Sequence, residues 1–378
     1  MDRANVVIIG GGVVGCALAC ELAAQTGDVF LLEQSPRLGM ATSTRNSGVV
    51  HSGIYYPPGS LKARLCVEGN RLTKEFCAAH GVPHNNCGKL VVASHDGETA
   101  ELERLMKNGQ ANGVEGLRLV GPDRIREREP HIVAVAALEA PSTGIVEAEA
   151  LVKAYARIAA ERGASILTHA RVRGMEPRAD CIAVSVAFGD TADSGTIENE
   201  TVEANCVINA AGLYSDEVAA LLGNKRYRIY PVRGEYAEVH AHKAYLVNAL
   251  VYPLPHPGGL TLGVHLTRTM WGTILVGPTA RYVTEKTDYE RDRLSAEDFL
   301  RSAQVLLPEL QLEDLHLAYS GLRPKLVPPD GHGIADFVIT RDPCHPRAIH
   351  LVGIESPGLT AALAIARHVA PMVKETLS

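Results

Sequence analysis

Apolar positions along this chain fall into short runs cut by glycine and proline turns, and the runs alternate between strand and helix lengths. Asn5 to Ile9 is a β-branched run that breaks at Gly10-Gly11-Gly12. Val13 to Ala24 follows as an apolar helix with many small residues, and Asp28 to Leu32 is a second strand closing on Glu33. Strand, glycine turn, helix, strand is a βαβ unit, and strands this apolar belong in a buried parallel sheet. Ser43 to Gly69 is rich in Gly, Ser, Tyr and Pro; it reads as loop, turning helical from Ser60 to His80. Further strands are predicted at Gly88–Ala93, Ser165–Gly174, Cys181–Phe188, Cys206–Asn209, Tyr236–His240, Gly259–Leu266 and Ile274–Val276, with helices at Thr99–Asn112 and Ala148–Arg162. The tail repeats strand, turn and helix: Ile349–Val352, Ser356-Pro357-Gly358, Leu359–Lys374. The fold class is therefore α/β. Residues 1–80, 146–225 and 325–378 form a discontinuous first domain, and 81–145 with 226–324 form an inserted, β-sheet-rich second one.

Composition narrows the function classes. The 378 residues are 46% hydrophobic and 21% charged, as in ordinary globular proteins, and the length suits two or three domains. A net charge of −6 speaks against a nucleic-acid partner. Arg124, Arg126 and Arg128 alternate with Glu127 and Glu129, which is the pattern of a solvated face. The eight cysteines contain no CxxC pair and fit a reducing, cytoplasmic compartment. No apolar run reaches the roughly 18 residues that span a bilayer, while peripheral contact with the inner face of the cell membrane stays open. The histidines are scattered and no HExxH is present, so no metal is expected; there is no Walker loop and no G-x-S-x-G elbow.

The first chemical signal is Gly10-x-Gly12-x-x-Gly15, placed between a strand and a helix, with Glu33 at the end of the next strand. Gly10 permits the tight turn, Gly12 lets main chain approach a pyrophosphate, and Gly15 lets the helix lie close on the sheet. The free N–H groups of the helix N-terminus receive phosphate, and Glu33 can accept from ribose hydroxyls. The acid disfavours a 2′-phosphate and hence NADP; FAD and NAD both satisfy the motif. Three later features favour FAD. A polar stretch, Thr42 to Gly48, could wrap the pyrophosphate and ribityl chain. Ala210-Ala211-Gly212 follows a buried strand. Ser356 to Thr360 makes another strand-to-helix turn, whose dipole could face the flavin or ribityl oxygens. The expected cofactor contacts are Gly10, Gly12, Val13, Val14, Gly15, Glu33, Gln34, Thr42, Ser43, Asn46, Ser47, Gly48, Val172, Ala211, Gly212, Pro357, Gly358, Leu359 and Thr360.

The segment from Arg45 to Glu68, RNSGVVHSGIYYPPGSLKARLCVE, resembles the L-2-hydroxyglutarate dehydrogenase/oxidase family of D-amino-acid-oxidase-like FAD proteins. So do Cys87-Gly88-Lys89-Leu90, Asn209 to Asp216, Pro231 to Tyr236, Val251-Tyr252-Pro253 and Gly263 to Thr267, so the resemblance spans almost the whole chain. It departs at Arg45, where a His is common, after Arg323, and around Ser356-Pro357, as a divergent branch would. The resemblance implies a glutathione-reductase-related, Rossmann-like FAD domain with a sheet-based substrate domain. It also implies oxidation of a small (S)-2-hydroxy acid, with L-2-hydroxyglutarate favoured. Glycerol 3-phosphate, an amino acid or a secondary amine remain open on the same scaffold, as does a non-catalytic flavin-binding protein. The resemblance implies an electron acceptor as well: a quinone, oxygen or a carrier protein.

His51 is the expected base, because removing hydride from an alcohol carbon also requires removing the hydroxyl proton, and a histidine titrating near neutrality suits that task. Related flavoenzymes place a histidine here beside the flavin. Arg323, read as part of a Gly-Leu-Arg-Pro turn, is the expected carboxylate anchor, through a two-pronged guanidinium contact. Tyr252 and His265 are expected in substrate-domain strands, with His265 facing the distal carboxylate. Tyr56 and Lys62 are expected at an anion-lined entrance.

Overall fold

A computed structural model describes residues 3–189, 198–255 and 263–378. The first predicted unit forms as strand Arg3–Ile9, helix Val13–Thr26 and strand Val29–Leu32. Arg3–Ile9 is the centre of an eight-stranded sheet, parallel to Val29–Leu32 on one side and to Glu198–Asn209 on the other. Ser165–Leu167 extends the parallel part beyond Val29–Leu32, and Ala348–Val352 pairs parallel with the end of Glu198–Asn209. The register aligns Ile9 with both Leu32 and Asn209, and Leu32 with Leu167. Gly10, Glu33 and Ala210 therefore leave the sheet side by side at its carboxyl edge, where open α/β sheets bind ligands.

Helices Val13–Thr26, Leu61–His80, Ala148–Glu161 and Gly358–Leu377 share one core with a face of this sheet. Small residues set the spacing. A Cβ on Gly15 would fall 1.9 Å from the Gly10 carbonyl oxygen, and one on Gly69 would fall 2.4 Å from that of Thr360. Core side chains such as Leu22, Leu31, Ile349 and Ile365 are fully buried, each contributing about 1.5–3 kcal/mol relative to exposure.

Among the described residues the second sheet has nine strands. Lys89–Ala93 pairs parallel with Leu250–Pro253 and antiparallel with Ala136–Ala140. His265–Arg268 and Ile274–Gly277 continue it to Tyr230–Val239, which also pairs with the long strand Leu315–Lys325. Helix Ala296–Ala303 packs into one core on this sheet and Thr99–Ala111 into another.

Several sequence expectations change here. Ser165–Gly174 is two strands, split where His169 takes a left-handed φ of 52°. Cys206–Asn209 is the end of a strand that begins at Glu198. Of the predicted Gly259–Leu266, residues 259–262 lie outside the described part, and the strand there is His265–Arg268. Arg323 belongs to a strand and not to a turn, since Leu315–Lys325 keeps extended pairing with Tyr230–Val239 through Pro324.

Candidate active site

A cavity of about 790 Å³ opens at the carboxyl edge of the parallel sheet and runs to the second sheet. Its first end is built from main chain. Gly10 has φ +112°, and a Cβ there would sit 2.6 Å from the Ala210 carbonyl oxygen. A Cβ on Gly12 would come within 3.0 Å of Ser43 Oγ. The helix Val13–Thr26 begins with no cap from its own N-cap residue and no acid in its first turn; Ser43 Oγ accepts from Val13 N at 2.9 Å, and the rest of its positive end faces the cavity. Glu33 holds the turn in shape: its Oε2 accepts from Gly11 N and its Oε1 from Ser35 N, both at 2.7 Å. Helix Gly358–Leu377 likewise starts at the cavity with neither cap nor first-turn acid. Two helix N-termini at the cavity, a closed glycine turn and a carboxylate beside it fit the pyrophosphate and ribose of a dinucleotide.

Of the expected cofactor contacts, Gly10, Gly12, Val13, Val14, Glu33, Gln34, Thr42, Ser43, Asn46, Ser47, Val172, Ala211, Gly212, Pro357, Gly358 and Leu359 line this cavity. Gly15, Gly48 and Thr360 do not. Gly15 is a packing position, and Gly48, at φ +67°, is pressed against Val146, whose carbonyl oxygen would lie 2.4 Å from a Cβ. Thr360 is fully buried and clamps the histidine loop: its Oγ1 accepts from His51 N at 2.9 Å and donates to Val49 O at 3.2 Å. The polar stretch spends much of its hydrogen bonding on itself and its neighbours. Thr42 Oγ1 donates to Leu322 O, Ser43 Oγ accepts from Val13 N, and Asn46 Nδ2 donates to the carbonyls of Thr42 and Ser43.

The other end is built from side chains. His51, Tyr55, Tyr56, Lys62, Tyr252, His265, Arg323, Lys325, Glu355 and Ser356 all line it. His51 Nε2 lies 3.3 Å from Ser356 Oγ, which is 3.4 Å from the Tyr56 hydroxyl, while His51 Nδ1 is buried with no partner among the described residues. Burial, and then the charge of Lys89, push His51 down to about 3. This corrects the expectation of a histidine titrating near neutrality, because the site desolvates its cation. Arg323 Nη1 donates to Thr279 O at 3.2 Å, and no carboxylate lies within 4 Å of its guanidinium among the described residues. Arg323 brings to the cavity a charge with no ion-pair partner among the described residues.

Two expected substrate contacts change character. Lys62 is buried, not at an entrance, and its Nζ donates to Glu355 Oε1 at 2.9 Å. Lys325 Nζ reaches the other oxygen of Glu355 at 3.2 Å. Burial alone would raise Glu355, but Lys62, Lys325 and Arg323 hold it below the ordinary carboxylate value. His265 Nδ1 lies 2.8 Å from Gly263 O, and a carbonyl only accepts, so Nδ1 carries the proton. Burial keeps the ring neutral, which leaves Nε2 as an acceptor and unsuited to a carboxylate. Its ring stacks on Tyr252 at 3.6 Å.

Sequence reasoning missed Tyr55 as a cavity residue and Lys89 behind it; Ser356 it placed in a flavin-facing turn, and Lys325 and Glu355 were given no role. Lys89 and Tyr55 did stand inside the quoted motifs. A lysine opening a wholly apolar strand, Lys89–Ala93, was the legible signal.

This fold and cavity suit a flavin-dependent oxidoreductase. Residues 5–372 match the model of the FAD dependent oxidoreductase family, DAO, and the chain belongs to that family and uses FAD. It is 33% identical over 408 residues to the L-2-hydroxyglutarate dehydrogenase of Escherichia coli (strain K12), covering 98% of this chain and 93% of that one. Against the mitochondrial L-2-hydroxyglutarate dehydrogenase of Homo sapiens it is 32% identical, covering 98% and 89%. Among solved structures, the FAD-bound, dithionite-reduced L-alpha-glycerophosphate oxidase of Mycoplasma pneumoniae superposes with TM-score 0.87 at 27% identity, covering 99% of this chain and 95% of that one. The glycine oxidase of Geobacillus kaustophilus superposes with TM-score 0.82 at 22% identity, covering 99% and 95%.

Proposed function

We propose that the protein oxidises L-2-hydroxyglutarate to 2-oxoglutarate. The observation that carries this reading is the unpaired guanidinium of Arg323 in the same cavity as a neutral His51. An anionic substrate with a hydroxyl on the carbon next to its carboxylate satisfies both groups, and the relatives' names agree with it. FAD, when bound, supplies the two-electron acceptor for the hydride leaving C2. Arg323 holds the C1 carboxylate by two parallel hydrogen bonds and so fixes C2 in place. His51 accepts the hydroxyl proton; burial and, after it, the Lys89 charge keep it unprotonated, and an incoming dianion offsets the Lys89 part. The cluster of Lys62, Lys325 and Glu355 leaves one further positive charge for a second carboxylate.

A second reading is sn-glycerol 3-phosphate, favoured by this cationic surplus and by the likeness to a glycerophosphate oxidase. The deciding experiment is anaerobic bleaching of the yellow protein by each compound. Fast bleaching by L-2-hydroxyglutarate alone supports the first reading, and bleaching by glycerol 3-phosphate alone replaces it. The strand distribution supports the division into a flavin domain (1–80, 146–225 and 325–378) and a substrate domain (81–145 and 226–324). Eight free cysteines, most of them buried, support a reducing cytoplasmic setting. No described helix is long and apolar enough to cross a membrane. Peripheral membrane contact and a quinone acceptor form one reading, to be tested by vesicle co-sedimentation and by quinone-dependent turnover.

A further inference from the structure

Lys89 is a fully buried lysine whose charge bears on His51 but which has no assigned contact with the substrate. It opens strand Lys89–Ala93, and no carboxylate lies within 4 Å of its Nζ among the described residues. Instead the ammonium sits 4.4 Å from the ring centroid of Tyr55 and 4.5 Å from that of Tyr252, and donates to the Tyr55 hydroxyl at 3.3 Å. Tyr252 and Tyr55 both line the cavity, so the cation stands one aromatic layer behind its wall. The other titratable groups around it are Cys66 on helix Leu61–His80, His51, and His265 on strand His265–Arg268; none is an anion at neutral pH. A buried charge without a counter-charge costs stability, and cation–π contact repays only part of it.

The direction of the one hydrogen bond tells what the cation does. In its charged form Lys89 has three donors and no acceptor, so Tyr55 Oη accepts from it. The phenolic proton is then left to donate elsewhere, and no described residue accepts it. We propose that Lys89 is a positioning residue that orients the Tyr55 hydroxyl as a hydrogen-bond donor to an oxygen of the bound hydroxy acid. Tyr55 thereby becomes a substrate-binding residue beside Arg323. The inference rests on the hydroxy-acid reading for the identity of that oxygen.

The test is a double-mutant cycle on the FAD-loaded protein with Lys89→Met and Tyr55→Phe. Two readouts are used: the rate of flavin reduction by L-2-hydroxyglutarate, and the Kd of 2-oxoglutarate from the shift it causes in flavin absorption. Each single variant is expected to weaken at least one readout by about tenfold, as for loss of a charge-assisted hydrogen bond. The double variant should be no worse than the weaker single one, because both changes remove one contact. Additive losses would overturn the proposal, as would a Tyr55→Phe protein that keeps wild-type values in both readouts. A changed flavin spectrum in the substrate-free Tyr55→Phe protein would place the hydroxyl on the flavin and also overturn it. If the wild type is not reduced by L-2-hydroxyglutarate, the substrate reading fails, while the Kd cycle still decides the Tyr55 contact.

Stability supplies an independent check. Burial lowers Lys89 from the ordinary lysine value of 10.5 to about 7. Between those values the unfolded chain holds more protons, so wild-type stability rises with pH there. Lys89→Met should therefore match or exceed the wild type in Tm at pH 7, with the margin shrinking as pH rises. A Lys89→Met protein that is less stable than wild type at pH 7 would make Lys89 a packing element and sink the proposal.

Discussion

At the glycine-turn end of the cavity the wall is main chain: helix N-termini, carbonyls and positions where no Cβ fits. At the second-sheet end the wall is side chains drawn from separate stretches of sequence: the Val50-to-Ser60 loop, helix Leu61–His80, strand Leu250–Pro253, strand Leu315–Lys325 and the loop after Val352. The first end recognises by shape and dipole, the second by charge and proton position. The main-chain end should therefore respond to mutation through cofactor retention, and the side-chain end through turnover at full cofactor content.

The largest separation is expected at His51. His51→Ala should slow flavin reduction by about 10²–10⁴-fold, the usual yield of a general base, with FAD content intact. In the wild type the acid limb of kcat/KM should lie well below the ordinary histidine range, because burial and Lys89 lower His51 to about 3. A limb centred near 6.5 that vanishes in His51→Ala would show that the site does not desolvate this ring. The stability sign follows from the same shift. The unfolded chain binds more protons between about 3 and 6.5, so this group costs stability as pH falls through that window.

Glu33→Gln addresses the opposite end. Both Glu33 oxygens accept from main-chain N–H groups, so the amide nitrogen of Gln must face a donor. FAD affinity should fall by about 1.5–3 kcal/mol, measured by titrating apoprotein with FAD, while the reduction rate of the loaded fraction stays near wild type. Loss of turnover at full FAD occupancy would break the comparison. Arg323→Lys should do the reverse. Charge is kept but the fork is lost, so kcat/KM drops at least about tenfold, roughly 1.4 kcal/mol, in steady-state kinetics with FAD content unchanged.

The same contrast explains what the sequence revealed. Gly10-x-Gly12-x-x-Gly15 and Glu33 could be read directly, because a contiguous main-chain site writes itself into one short segment. Gly15 was read with its packing role, but Thr360 was taken for a cofactor contact, since a helix N-terminus gives no sign of which hydroxyl turns inward to hold His51 N. Arg323 was found through resemblance and placed in a turn, because Gly-Leu-Arg-Pro looks like one until its pairing with Tyr230–Val239 is known. The Lys62–Glu355–Lys325 cluster joins residues far apart in the chain, and no local pattern announces such a pairing. His265 was taken for an anion ligand because periodicity does not reveal that Gly263 O fixes its tautomer.

The smallest effect on turnover is expected at Thr360, which lies behind both ends. Thr360→Val keeps the shape but removes the acceptor of His51 N and the donor to Val49 O. Leaving a buried main-chain group unpaired costs about 1–3 kcal/mol, so Tm should fall clearly. Turnover should fall by less than about tenfold, because other contacts still hold the loop: Asn70 Nδ2 donates to His51 O at 2.9 Å, and the same Asn70 ties to Ser142 O at 2.8 Å. The pH profile should keep its shape, since the His51 ring itself loses no partner. If Thr360→Val instead moves the acid limb, the clamp governs the protonation of His51, and the side-chain end depends on the main chain more than this comparison allows. Thermal melts and pH–rate profiles of the one variant distinguish the two.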